Sequence, residues 1–292
     1  THKRVGPAEL AHITQDPADP DVKTPGLWLR LLATRETWAF ALGKFFIDPI
    51  WWFYLFWLPG YLGAQYGLDL KSWSTPTAAL AIGGIYLISD VGSVAGGWLS
   101  GRLMKSGMSV NKARKITMLV CAFCVLPVVF ATSVPNLWAS VLIIGIAAAA
   151  HQGFSANLYT LPSDTFPPFA VGGIGGTLGA IGGALFSKYS GDVLDRVGSY
   201  APMFIAAGAA YFLAVLCVHL LSPRLDRVER FRQSTPWAVI VAVVAGLIAA
   251  LIFLVPGLLL IPALVPEDAG PPPPGMRLVE VPDLGSAFAR FF

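Results

Sequence analysis

Apolar residues in this chain come in long unbroken runs separated by short polar connections, without the two-residue alternation of half-buried strands. The runs lie at approximately 38 to 64, 77 to 103, 115 to 132, 136 to 160, 169 to 190 and 200 to 222, with a further one at 237 to 264. Each approaches or passes the roughly 20 residues a helix needs to cross a bilayer, so the pattern predicts helices and not the short alternating strands of a barrel. Six closely spaced helices over 36–222 read as one bundle. The seventh run, WAVIVAVVAGLIAALIFLVPGLLLIPAL, has no charge and no amide and reads as an extra lipid-facing span. Residues 1–35, with DPADPDVKTPG, read as a polar segment; 223–236 read as a basic linker, and 265–292, with PPPPG, as an extended, weakly ordered tail.

Composition sharpens this into an all-α membrane protein. The chain is 55% hydrophobic and only 13% charged, against about 25% charged in an ordinary soluble domain. A net charge of +3 gives no basic surface for nucleic acid. Position matters more than the total, because cytoplasmic connections hold an excess of Lys and Arg. Arg102, Lys105, Lys112, Arg114 and Lys115 join the second and third spans with no acid among them, and SPRLDRVERFRQ carries Arg224, Arg227, Arg230 and Arg232. Both clusters fall on the same side, which makes that side, with residues 1–35, cytoplasmic and puts the final tail outside. Cys121, Cys124 and Cys217 all lie in apolar spans and read as buried packing thiols. The opening THKRVGPAEL has no initiator methionine and no export signal, and reads as part of something longer.

Ionisable groups inside the apolar runs carry the candidate chemistry. In GKFFIDPIWW, Lys44 and Asp48 stand at i and i+4, share a helix face and can pair, which lowers the cost of burying either. Pro49 can kink the helix, and Trp51, Trp52, Tyr54 and Trp57 follow. One reading is a structural ion pair with Lys44 snorkelling to the interface beside an aromatic belt. The other makes Lys44 an anion contact and the indoles a platform for a sugar ring. In the second span Gly92, Gly96, Gly97 and Gly101 allow close helix approach, and with Asp90, Arg102 and the loop NKARK they read as a gating segment. The fourth span is the most polar: His151, Gln152, Ser155, Asn157 and Tyr159 occur within nine residues, more than helix packing requires. His151, Ser155 and Tyr159 share a face, whereas Asn157 points elsewhere. The fifth span repeats small-xxx-small spacings, which read as packing, and Lys188 near its outer end reads as snorkelling. No nucleophile elbow, phosphate loop, HExxH or carboxylate dyad suggests an enzyme, and the scattered histidines propose no metal and no cofactor.

WAFALGKFFIDPIWWFYLFWLPGYL, SDVGSVAGGWLSGRLMKSGMSVNKARK and HQGFSANLYTLPSDTFP, in this order, resemble the C-terminal half of the anion:cation symporter family of the major facilitator superfamily, most closely its hexuronate permease branch. The likeness runs from about Thr37 to Ser222. It implies twelve helices in two six-helix halves, alternating access, and uptake of an organic anion coupled to protons across a bacterial inner membrane. The spans above then correspond to helices seven to twelve. Relatives often carry a substrate-touching glutamine where Lys44 stands, so a lysine there implies a carboxylated sugar; Asn157 matches an asparagine common in helix ten. The sequence departs at Gly176, where some relatives have a polar residue, at Pro168 and Phe169, where basic residues are usual, and in the seventh span and tail, which have no counterpart.

The resulting expectation is a symporter fragment that binds galacturonate or glucuronate, partnered by protons, the lipid bilayer and a missing N-terminal half that holds the main substrate arginine and protonated carboxylates of the family. Lys44, Asp48, Trp52, His151, Gln152, Ser155, Asn157 and Tyr159 are the expected substrate-binding residues, and Asp90, Gly97 and Arg102 the expected gating residues. An aldarate or aldonate is the alternative substrate. A non-transporting membrane subunit or truncated remnant is the alternative class.

Overall fold

A computed structural model describes residues 6–13, 31–32, 34–68, 76–166 and 172–224. The seventh span, the tail and the departures at Pro168 and Phe169 lie outside the described residues. A short helix α1, Pro7–Ile13, precedes the bundle. The bundle comprises α2 (Arg35–Phe56), α3 (Leu58–Tyr66), α4 (Pro76–Lys105), α5 (Val110–Val125), α6 (Leu137–Thr165), α7 (Gly172–Val197) and α8 (Ala201–Leu221). Among the described residues there is no strand.

Five of these segments are long and apolar enough to cross a membrane: Arg35–Phe56, Pro76–Lys105, Val110–Ser133, Leu137–Thr165 and Ala201–Leu221. Helix α7 has a comparable 26 residues but is dominated in its first half by glycine, which adds little hydropathy. Backbone chemistry sets the boundaries. Ser109 and Asn136 cap α5 and α6 by accepting from the amides of Lys112 and Ala139, each satisfying one orphan donor. Gly67, Gly107 and Gly198 have positive φ and turn the chain after α3, α4 and α7. The predicted first span is divided at Trp57, because Pro59 opens a new helix in its first turn. At Pro127 the third span tightens into a 3₁₀ segment, Leu126–Ser133, that completes the crossing. Pro49 leaves α2 continuous, and the Phe45 carbonyl, which has lost the amide one turn on, faces Gly182 of α7.

Helix α2 is the centre of the bundle, buried on almost every side, and packs along α7 and α8 while also meeting α6. The tightest pairing is α4 with α6, where the backbones of Gly92 and Gly96 lie against those of Ala149 and Gly153. A methyl group on either glycine of α4 would run into backbone, so these two are the close-approach glycines. Gly97 and Gly101 look onto open space. Helix α5 joins α6 to α8. Cys121 is buried against Gly153, whereas Cys124 is exposed on the outer face of α5 and is not a packing thiol.

Both ends of the bundle are tied. On one side, Tyr61 and Tyr66 of α3 donate to the carbonyls of Ala131 (2.8 Å) and Val134 (2.7 Å), and Gln65 to Thr132 (3.3 Å). On the other, Lys115 donates to the carbonyls of Ser222 (2.6 Å) and Pro223 (3.1 Å), and Asn111 to Pro223 (2.9 Å), closing the end of α8.

Candidate functional site

Lys44 sits on α2 nine residues after Arg35, a rise of about 14 Å along the helix. Its side chain is 5% exposed and does not reach out of the bundle. The ammonium is held by Asp48 Oδ1 at 2.7 Å and donates to Tyr159 Oη at 2.6 Å, contacts made by an ionised group and therefore stronger than neutral ones. The i, i+4 spacing brings Asp48 over one turn of α2, and α6 brings Tyr159 across. Tyr159 is half-exposed and packs its ring edge-on against Phe40. It is thus the outermost member of a chain running Tyr159, Lys44, Asp48.

Asp48 fits because α7 has no side chain opposite it. A Cβ at Gly179 would collide with the Asp48 carboxylate, and one at Gly175 with Phe40. Gly179 thus admits the acid, and the small-residue stripe of the fifth span positions the ion pair as well as packing helices.

His151, two turns before Tyr159 on α6, is fully enclosed. Its ring stacks on Trp51 (5.0 Å between centroids, 11° between planes) and Nδ1 shares a hydrogen bond with Tyr211 Oη of α8 at 2.8 Å. The hydroxyl of Tyr54 is buried nearby with no hydrogen-bond partner among the described residues. Ser155 is buried and Gln152 half-buried on the same stretch of α6.

Other expected site residues fall elsewhere. The ring of Trp52 faces Gly183 of α7 and stacks on Phe56; Trp51 is the indole that joins the buried group. Asn157 is not with Lys44. Its amide nitrogen donates to the carbonyls of Gly96 (3.1 Å) and Gly153 (2.9 Å), riveting α4 to α6. Its oxygen accepts from Arg114 Nη1 at 3.4 Å; Arg114 also reaches Ser100 (3.2 Å) and Asp164 (3.4 Å). The expected gating residues are not assembled either. Asp90 is exposed on α4, twelve residues and about 18 Å of helix from Arg102; Arg102 lies over the Trp98 ring at 5.7 Å. An ion pair does join the start of α5 to the end of α6, Arg114 with Asp164; Arg114 lies in the loop NKARK of the expected gating segment, whereas Asp164 was not singled out. The available signal was Asp164 in LPSDT, an acid at the inner end of the fourth span, facing a loop otherwise basic. Lys188 pairs with Asp192 at 3.0 Å, both exposed. Among the described residues no cluster of His, Cys, Asp and Glu is arranged to hold a metal.

Comparison with known proteins adds to this geometry. Residues 2–187 match the family model described as Major Facilitator Superfamily. The chain is 26% identical over 243 residues to the "Probable galactarate/D-glucarate transporter GarP" of Escherichia coli (strain K12), covering 78% of this chain and 53% of that protein. It is 25% identical over 209 residues to the "Hexuronate transporter" of the same organism, covering 70% and 47%. A third relative there, the "Probable L-galactonate transporter", is 37% identical over 123 residues, covering 41% and 26%. The chain spans about half the length of the curated relatives it matches over most of its own length.

Proposed function

The chain belongs to the Major Facilitator Superfamily, and from that premise we propose that it is the C-terminal six-helix half of a proton-coupled sugar-acid symporter of the bacterial inner membrane. A multi-pass membrane helix bundle whose named relatives are transporters, with no enzyme motif in its sequence, fits this reading. One observation carries the substrate class. An ammonium is kept in the interior of the bundle, 5% exposed, against Asp48 and Tyr159. Intramembrane charges of this kind mark substrate or ion pathways. Lys44 is the anion contact; Tyr159, Ser155 and Gln152 on the adjoining stretch of α6 offer hydroxyls and an amide for the sugar; and the Trp51–His151 stack walls the inner side. Asn157 and Arg114 fasten α4, α5 and α6 at the cytoplasmic end and act on gating, not on the sugar.

A hexuronate presents one carboxylate and an aldarate two, so one cation in this half suits a hexuronate. The galactarate/D-glucarate relative, similar over 78% of the chain, favours the aldarate as second reading. The full gene product in proteoliposomes is expected to accumulate labelled galacturonate or glucarate under an inward proton gradient, and to lose that accumulation when an ionophore collapses the gradient. Lys44→Gln should weaken uptake at least about tenfold, the loss of one charge-assisted contact of about 1.5–3 kcal/mol. Failure to accumulate either acid would sink the reading, and uptake only when a separate six-helix partner is supplied would make the chain a subunit.

A further inference from the structure

We propose that Asp48 is a built-in competitor for the substrate anion: a sugar-acid carboxylate takes its place on Lys44, and the displaced Asp48 accepts a proton, so that anion binding itself draws one proton into the bundle. This rests on Lys44 as the anion contact and adds the place where a proton is held.

The first argument is charge. Lys44 is 5% exposed and uses two of its three donors on Asp48 and Tyr159, so its positive charge is already balanced by one carboxylate. A second carboxylate on the same ammonium would leave a net negative charge in a poorly solvated interior. Like charges sharing a site do not both stay ionised.

The second argument is the surroundings of Asp48. On its own helix it faces Lys44, with Tyr54 further along; from α6 come Tyr159 and the enclosed His151, and from α8 Tyr211, which holds His151. From α7 comes Gly179, whose missing side chain can donate nothing. Among the described residues the other ion pairs are Arg35–Glu36, Arg114–Asp164 and Lys188–Asp192, so Asp48 is paired with Lys44 alone. A carboxylate left in such a place without a cation is neutralised by a proton.

The charges balance. Before binding the site holds one ammonium and one carboxylate; afterwards it holds the ammonium, the substrate carboxylate and a neutral Asp48. The proton comes from water on the side of entry and bonds to a carboxyl oxygen of Asp48. On release of the sugar acid the proton leaves to water and the ion pair closes again. Net charge in the bundle is the same in both states, so neither state buries an uncompensated charge.

The test uses the full gene product purified in detergent and lightly buffered, with galacturonate as probe and a pH-sensitive dye as readout. The wild type should take up at least one proton per anion bound, and its apparent Kd should tighten at least about tenfold per unit fall in pH over the range where Asp48 is ionised. Asp48→Asn should take up about one proton fewer per anion, and its Kd should depend on pH about tenfold less per unit. Proton uptake by Asp48→Asn equal to that of the wild type overturns the proposal, as does galacturonate binding to the wild type without proton uptake. Should Asp48→Asn not fold, infrared difference spectra of the wild type and Asp48→Glu decide: binding should raise a protonated-carboxyl band that moves in the glutamate variant, and its absence from the wild type overturns the proposal. If the wild type binds neither galacturonate nor glucarate, the sugar-acid reading fails and takes this inference with it. Binding without protons sinks the inference alone.

Discussion

Asn157, expected at the substrate site, makes its hydrogen bonds within the α4–α6 contact, and a substitution separates the two roles. It lies two residues from Tyr159 and four from Gly153, yet its amide serves the α4–α6 contact. Asn157→Ala should therefore cost about 1–3 kcal/mol of stability, the penalty for stranding buried backbone carbonyls and the Arg114 guanidinium, with little change in sugar-acid Kd. Thermal unfolding and a binding isotherm on the same preparation separate the two effects, and a large Kd change at unaltered Tm would return Asn157 to the substrate site. The Lys44–Asp48 pair was readable because i, i+4 geometry is local to one helix. The contacts of Asn157 with Gly96 and Arg114, and of Arg114 with Asp164, were not, because they cross 43 residues or more and depend on which helix lies alongside. The choice between Trp51 and Trp52 was equally hidden: in an all-apolar run nothing in the sequence marks which helix face meets α6 and which meets α7.

At the scale of elements, the glycines of α4 are unequal in a way their even spacing conceals. Gly96→Ala places a methyl against the Gly153 backbone, so α4 and α6 must separate or shift. A destabilisation of about 1–3 kcal/mol is expected from such overpacking. Gly97→Ala points into open space and should stabilise by about 0.5–1 kcal/mol through helix propensity. Thermal-shift measurements on both variants test the assignment, which fails if their order is reversed. Helix ends were legible only in part: Asn136 caps α6 at the predicted start of the fourth span, whereas Gly107 and Gly198 stop α4 and α7 four and eight residues past the predicted ends at 103 and 190. The break at Trp57 was signalled by Pro59 but masked by continuous hydropathy on both sides.

For the whole molecule, the basic loops around Arg102 to Lys115 and Arg224 to Arg232 set the expected orientation. After replacement of Cys121, Cys124 and Cys217, a cysteine at Ser106 should react with a membrane-impermeant maleimide only from the cytoplasmic side, and one at Pro135 only from outside. Inverted labelling would overturn the topology. The fold class followed from hydropathy because a bilayer leaves helices as the economical answer to unbroken apolar runs. The site did not follow as directly, because α7 shapes it through what glycine lacks, and an absent side chain advertises nothing.

The tyrosine hydroxyls of α3 and the Lys115 and Asn111 clasps at the opposite rim all join helices of this chain to one another. On the proposed reading of the chain as half of a transporter, opening and closing need not unpick them. The helices they bind should swing as a solid leaf: probes placed at Tyr66 and Val134 would keep their separation through a transport cycle, whichever compartment the vestibule faces.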